Sequence, residues 1–300
     1  MTDTPSPDRP VSGTALGAAF LRALAAHDPR KVVQGKDYLA ECFLEEDQKK
    51  PLRDPALWHW VKANKLARGA YEFMLARTAF FDEMVERALK ANMAQVVWLG
   101  AGYDSRPYRF GACLQETRLF ELDAGATQQR KRACLRQADI VVPQQVCYVP
   151  IDFETDDLRE ALLAAGFDRE KETLFVWEGV TYYLNAGTVD QTLAYVRASA
   201  PAGASICFDY VALSDEALKA QNVKDLRQLM KSQYAGEPTR FGIRAGRIEA
   251  FLAERGFAVM EQLTAAEMAE KYLVKGDQVK LDPVPPPFCL VHAAVTQVPA

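Results

Sequence analysis

The chain is short of the groups on which several kinds of chemistry depend. Three histidines (His27, His59 and His292) stand in 300 residues, so imidazole is scarce as a general base. Six cysteines (Cys42, Cys113, Cys134, Cys147, Cys207 and Cys289) lie far apart with no C-x-x-C pair, which excludes a disulfide framework and a zinc-finger site and reads as reduced thiols. No metal is expected. The net charge is −4, so a basic surplus is also missing, and with it the electrostatic footprint of a nucleic-acid partner. No apolar run approaches the ~20 residues that cross a bilayer, and the polar, proline-bearing start MTDTPSPDRP lacks the basic-then-apolar order of a secretory signal. The expectation is a cytoplasmic protein with no membrane and no nucleic-acid partner. Oligomeric state leaves no trace in the sequence.

What is present is a change of periodicity. Residues 1–12 read as a disordered tail. Over 13–91 apolar residues recur at three- and four-residue spacings, which predicts a helical N-terminal cover divided into at least three helices at Pro29, Pro51 and Pro55. The last of these, roughly 67–91, carries Phe73, Phe80, Phe81, Val85 and Leu89 as a core stripe. From Gln95 short apolar strands alternate with helices: Gln95–Leu99, Thr117–Asp123, Val146–Pro150, Thr173–Trp177 and Ala204–Asp209. That rhythm predicts βαβ units, a parallel sheet and helices on both faces. The helix after Asp123 is read with Gln129, Lys131, Arg132 and Arg136 on its wet face. Residues 211–247 interrupt the rhythm and read as a helical lid, and Phe257–Met260 with Phe288–Val295 read as an antiparallel edge. The expected fold is α/β, a doubly wound, mostly parallel seven-stranded sheet filling residues 92–300.

In such a sheet the chemistry lies beyond the carboxyl ends of the strands. Gly100-Ala101-Gly102 follows the first strand directly, where glycine lets the backbone turn sharply and approach a ligand. G-x-G alone indicates some nucleotide-like ligand. Ser105 stands where a dinucleotide turn has its third glycine, which disfavours NAD. Asp123 ends the second strand, where a carboxylate can accept two ribose hydroxyls, or can equally cap the helix that follows. Asp152 with Phe153 ends the third and suits an adenine amino group and ring, or is an ordinary strand end. Glu178 ends the fourth. Acids at three successive strand ends are hard to explain by packing, because an ionised carboxylate is costly to bury unpaired.

Arg77-Thr-Ala-Phe-Phe-Asp82, the block from Val97 to Phe110 (VWLGAGYDSRPYRF), Phe120-Glu-Leu-Asp123 and the block from Trp177 to Leu184 (WEGVTYYL) occur in order and spacing. The chain thereby resembles the leucine carboxyl methyltransferase family and its bacterial relatives, including polyketide O-methyltransferase-like proteins. The resemblance covers about residues 65–210. It implies a Rossmann-like methyltransferase using S-adenosylmethionine. Carried over position by position, it implies that Arg77 holds the methionyl carboxylate and that Gly100, Ala101 and Gly102 pass beneath the methionyl part. Asp123 then takes the ribose, Asp152 and Phe153 the adenine, and Glu178 lies near the methionyl amino group. Tyr183 matches a family tyrosine near the reacting centre, with Tyr182 competing for that place, and Asp104 with Arg106 is read as an internal ion pair. Two positions depart from the pattern: Trp98 stands where the wider class often has an acid, and Gly125 where a bulkier residue or proline is usual.

The implied reaction is O-methylation of a carboxyl, or next a hydroxyl, of a small molecule or peptide by in-line displacement. A carboxylate is ionised at neutral pH and needs no base, which suits the scarcity of histidine. Two other readings share the turn: an NAD(P)-dependent oxidoreductase, and a non-catalytic protein that binds the cofactor.

Overall fold

The computed structural model describes residues 13–30, 37–153, 155–199, 203–214, 240–273 and 281–296. The tail read over 1–12 and most of the lid read over 211–247 therefore lie outside the described residues. Among the described residues, four α-helices precede the first strand: α1 (Gly13–His27), α2 (Glu46–Arg53), α3 (Pro55–Lys65) and α4 (Ala70–Lys90). Pro51 does not divide them. It lies inside α2, where it removes one intrahelical hydrogen bond, and the break falls at Asp54, whose side chain accepts from the Ala56 and Leu57 N–H groups to cap α3.

The remaining elements are β1 (Gln95–Leu99), α5 (Arg106–Arg109), β2 (Arg118–Asp123), α6 (Gly125–Gln137), β3 (Val146–Pro150), α7 (Leu158–Ala164), β4 (Thr173–Trp177), α8 (Ala186–Ala198), β5 (Ser205–Leu213), β6 (Ile243–Arg244), α9 (Ile248–Ala253), β7 (Phe257–Leu263), α10 (Ala265–Tyr272) and β8 (Phe288–Val295). The sheet runs β3-β2-β1-β4-β5-β8-β7, with β6 beside β5. β1 to β5 are mutually parallel, and β8 is antiparallel to both of its neighbours. The strand order bears out the antiparallel edge read from the sequence: β8 lies inside the sheet, and the outermost strand, β7, runs antiparallel to it. It also raises seven strands to eight, because residues 243–244 pair with Ala212 and Leu213 of β5 where the sequence suggested only a cover. Two residues are too few for a periodicity to register.

The order of connection reverses between β1 and β4, which opens a crevice at the carboxyl ends of those strands. Alternation along β1 divides the core in two. Val96 and Trp98 pack with α1, α4 and α10 on one face, and Val97 and Leu99 pack with α7, α8 and α9 on the other. α4 is buried along most of its length because it lies between the sheet and the other N-terminal helices. One further correction falls on α6. Lys131, read as wet, is fully buried, and its Nζ donates to Glu121 Oε2 at 2.7 Å while the Tyr108 hydroxyl donates to Oε1.

Candidate active site

The crevice opens into a cavity of about 580 Å³. Its wall contains every site residue singled out from the sequence: Arg77, Gly100, Ala101, Gly102, Asp123, Asp152, Phe153, Glu178 and Tyr183. Thr14, Ala15, Ala18 and Arg22 of α1 complete it from the N-terminal side.

The glycine turn forms one wall. The Gly100 and Ala101 N–H groups both donate to Leu122 O, at 3.0 and 2.8 Å, which folds the turn back against the end of β2. Gly100 has φ +82°, and a Cβ there would stand 2.7 Å from Val180 Cγ2, so both conformation and space require glycine. Asp123 closes the loop. Its Oδ2 accepts from Gly102 N–H at 2.6 Å and its Oδ1 from Ala124 N–H at 2.8 Å. It is not the cap of α6, since the residue at that position is Ala124. Burial pushes the Asp123 carboxyl above its usual range, and the two backbone donors offset this only in part. At the next strand end, Asp152 N–H donates to Asp156 Oδ2 at 2.8 Å, and Phe153 packs at the edge of the core beside Ile151.

The opposite wall is built from ion pairs. Arg106 Nη1 donates to Glu178 Oε2 at 2.7 Å and also to Asp104, Nε donates to Asp82 Oδ1 at 2.7 Å, and Nη2 donates to Thr78 O at 3.1 Å. The Asp104–Arg106 pair is thus present, but as one contact of an arginine shared by three carboxylates. Arg77 Nε lies 3.0 Å from Glu178 Oε1, and its Nη1 donates to Asp209 Oδ2 at 3.1 Å and to the Tyr182 hydroxyl at 3.0 Å. Burial raises the Glu178 carboxyl, yet Arg106 and Arg77 outweigh it and hold the group below its ordinary range. Tyr182 is buried within this network. Tyr183 is less so, and the two rings meet edge to face with centroids 4.7 Å apart.

Two residues of the network escaped the sequence reading, and a third, Trp98, stood there only as a departure from the family pattern. Asp209 lies in the middle of β5, just past the last residue that pairs with β4, and it closes the strand as read from the sequence, a signal that could have found it. Arg22 reaches from α1 to Asp37 Oδ2 at 2.9 Å and to Tyr103 O in the turn at 2.7 Å, and nothing local marks it. Trp98 is lodged at the deep end of the cavity, and its buried indole N–H has no hydrogen-bond partner among the described residues.

The residues fit an adenosyl sulfonium ligand. The cavity wall carries the acids Asp104, Asp123, Asp152, Asp156 and Glu178 with Arg22 and Arg77, and Arg106 pairs Asp104 and Glu178, so the cavity offers both carboxylate acceptors and a guanidinium to a ligand that bears an ammonium, a carboxylate and a sulfonium. Asp123 accepts one backbone N–H on each oxygen and a further bond from the Thr127 side chain, which leaves acceptor capacity on the carboxylate for a ribose hydroxyl.

The leucine carboxyl methyltransferase family model matches residues 15–197, more than half of the chain. A Bacillus subtilis protein, YktD, provisionally named as an S-adenosyl-L-methionine-dependent methyltransferase, is 30% identical over 205 residues, 66% of this chain and 65% of its own. A similarly named Streptomyces coelicolor relative is 34% identical over 64% of this chain and 66% of its own length. One from Frankia alni is 35% identical over 68% of this chain and 70% of its own. The chain thus matches just under two thirds of the first two relatives. Among solved structures, a Thermobifida fusca protein described as a methyltransferase aligns with a TM-score of 0.56 and 16% identity over 93% of this chain and 94% of its own, which is a likeness of fold. None of these likenesses supports the oxidoreductase alternative. With the motif blocks gathered on one cavity and the family model spanning more than half of its length, this chain belongs to the leucine carboxyl methyltransferase family.

Proposed function

We propose that the protein is an S-adenosylmethionine-dependent O-methyltransferase acting on a carboxyl, or next a hydroxyl, of a small molecule or peptide. The observation that carries this reading is the convergence of the glycine turn, Asp123, Asp152, Glu178 and Arg77 on one cavity at the strand ends. When bound, S-adenosylmethionine supplies a methyl group on a sulfonium, ready for displacement. The chain's own contribution is then orientation and exclusion of water. Asp123 accepts a ribose hydroxyl, Asp152 and Phe153 meet the adenine, and the turn from Gly100 to Gly102 passes beneath the amino-acid part. Glu178 and Arg77 take its ammonium and carboxylate ends. Tyr183, in the cavity wall beside Tyr182, lies on the side left for the acceptor.

A carboxylate acceptor is favoured by the chemistry of the wall. No histidine lines the cavity among the described residues; the His27 ring bonds Glu41, and His292 sits within β8, where burial lowers its pKa. An ionised carboxyl needs no proton removed. A cytoplasmic location belongs to the same reading, supported by six cysteines none of which forms a disulfide. Among the described residues no helix is long and apolar enough to cross a membrane.

Titration calorimetry with S-adenosylmethionine and S-adenosylhomocysteine tests the reading. Binding of both at one site per chain is expected, and absence of either overturns it. Transfer of a labelled methyl group to a panel of carboxylic acids and phenols then decides the acceptor, with esters the expected products.

A further inference from the structure

Asp209 is fully buried and holds together groups from two different parts of the chain. Its Oδ1 accepts from Gly179 N–H at 2.7 Å, and its Oδ2 accepts from Arg77 Nη1 at 3.1 Å and from the Tyr182 hydroxyl at 3.2 Å. Its main-chain oxygen accepts from Thr181 Oγ1 at 2.6 Å. The carboxylate thus pins the segment that follows β4 and fixes Arg77 of α4 against it. Gly179 completes the clamp: at φ +72° a Cβ there would lie 3.2 Å from Arg77 Nη1, so the guanidinium is seated directly on the glycine. Asp209 does not itself line the cavity, whereas Arg77, Gly179 and Tyr182 do.

A carboxylate without solvent exposure is costly, and a single shared arginine offsets little of that cost. Packing alone would be better served by an apolar residue, as at Cys207 and Val211 on the same face of the strand, which are buried without any charge.

We propose that Asp209 is a positioning residue that sets Arg77 and the 178–182 segment for the amino-acid end of the adenosyl ligand. The inference rests on the proposed function and deepens it. Asp209 acts through Arg77 and the Gly179 turn and leaves the ribose and adenine end, held on β2 and β3, untouched. That division of labour separates it from a general structural role.

The test is calorimetric titration of the full chain and of Asp209→Asn with two probes. S-adenosylhomocysteine carries the amino-acid part, and methylthioadenosine lacks it. The expected result is at least a tenfold loss of affinity for S-adenosylhomocysteine in Asp209→Asn, with methylthioadenosine affinity within twofold of the parent. Asp209→Ala, which removes the acceptor for Gly179 N–H as well, should lose more, so the asparagine variant shows partial rescue. Equal losses for both probes, or no loss for either, would overturn the proposal. If Asp209→Asn does not fold, Tyr182→Phe takes its place. It removes one partner of the carboxylate, with a severalfold loss expected for S-adenosylhomocysteine alone, and a uniform effect on the two probes again counts against the role. Failure of the unsubstituted chain to bind S-adenosylhomocysteine would sink the proposed function itself, a result distinct from any of these.

Discussion

The two walls of the cavity are polar by different means. On the glycine side Asp123 is held by two main-chain donors and the Thr127 side chain, and burial leaves its carboxyl raised. On the arginine side Glu178 lies between Arg106 and Arg77 and its carboxyl is lowered. One wall holds its acid by donors that carry no formal charge. The other balances carboxylates against arginines in a rigid network and, in the proposed function, presents two members of it, Glu178 and Arg77, to the ligand's ammonium and carboxylate ends. The walls differ in how they are held, while both meet the ligand.

The sharpest way to break this comparison is Arg106→Met. It leaves Asp82, Asp104 and Glu178 buried beside one another, so a loss of about 3–5 kcal/mol in urea-unfolding stability is expected. A smaller loss, about 1.5–3 kcal/mol at neutral pH, is expected for Glu178→Gln, since the charged bonds to two arginines weaken. Because the folded-state pKa of Glu178 lies below its unfolded value, that contribution is present above the ordinary carboxylate range and fades as pH falls through the folded pKa. The unfolding curves of parent and variant should therefore converge in acid.

Asp123→Asn should show the opposite dependence on pH. A carboxyl with a raised folded pKa favours the folded state below its unfolded value and loses that contribution as pH rises. The amide keeps one acceptor oxygen and turns its NH2 toward the other backbone donor, so ligand-free stability at neutral pH should fall by about 1 kcal/mol, less than in Glu178→Gln, while S-adenosylhomocysteine binding weakens about tenfold to a hundredfold. If stability fell as far as in Glu178→Gln, the two walls would not differ in the way described. The smallest effect is expected at Trp98→Phe. The apolar area lost is offset by removal of an unpartnered buried N–H, which costs about 1–3 kcal/mol. Stability measured by urea should then change by less than about 1 kcal/mol.

How far the site could be read from the sequence follows the same division. The glycine wall was legible because its parts are local: a strand, a turn, and an acid ending the next strand. The arginine wall was legible only at Arg77, Asp104, Arg106 and Glu178, which stand in the recognised motif blocks. Asp209 bonds a residue 132 positions away, and Arg22 meets Tyr103 across 81 positions. Helical or strand periodicity carries no information over such separations. Lys131 was misplaced for a related reason: an amphipathic pattern assigns lysine to water unless its partner, Glu121 on a neighbouring strand, is known to face it. The sheet was legible in β1 to β5, whose short, mostly apolar runs alternate with helical stretches. β6 was not, because two residues make a strand only through their neighbour.

The placement of β8 bears on how the molecule is made. A ribosome delivers β5 and β7 well before the strand that lies between them, and until Phe288–Val295 emerges both present open edges. Asp209 pairs with Leu290 of that late strand, so its stretch of β5 gains this neighbour only near the end of the sheet's synthesis, whereas β1 and β2, which carry the glycine wall, are made early.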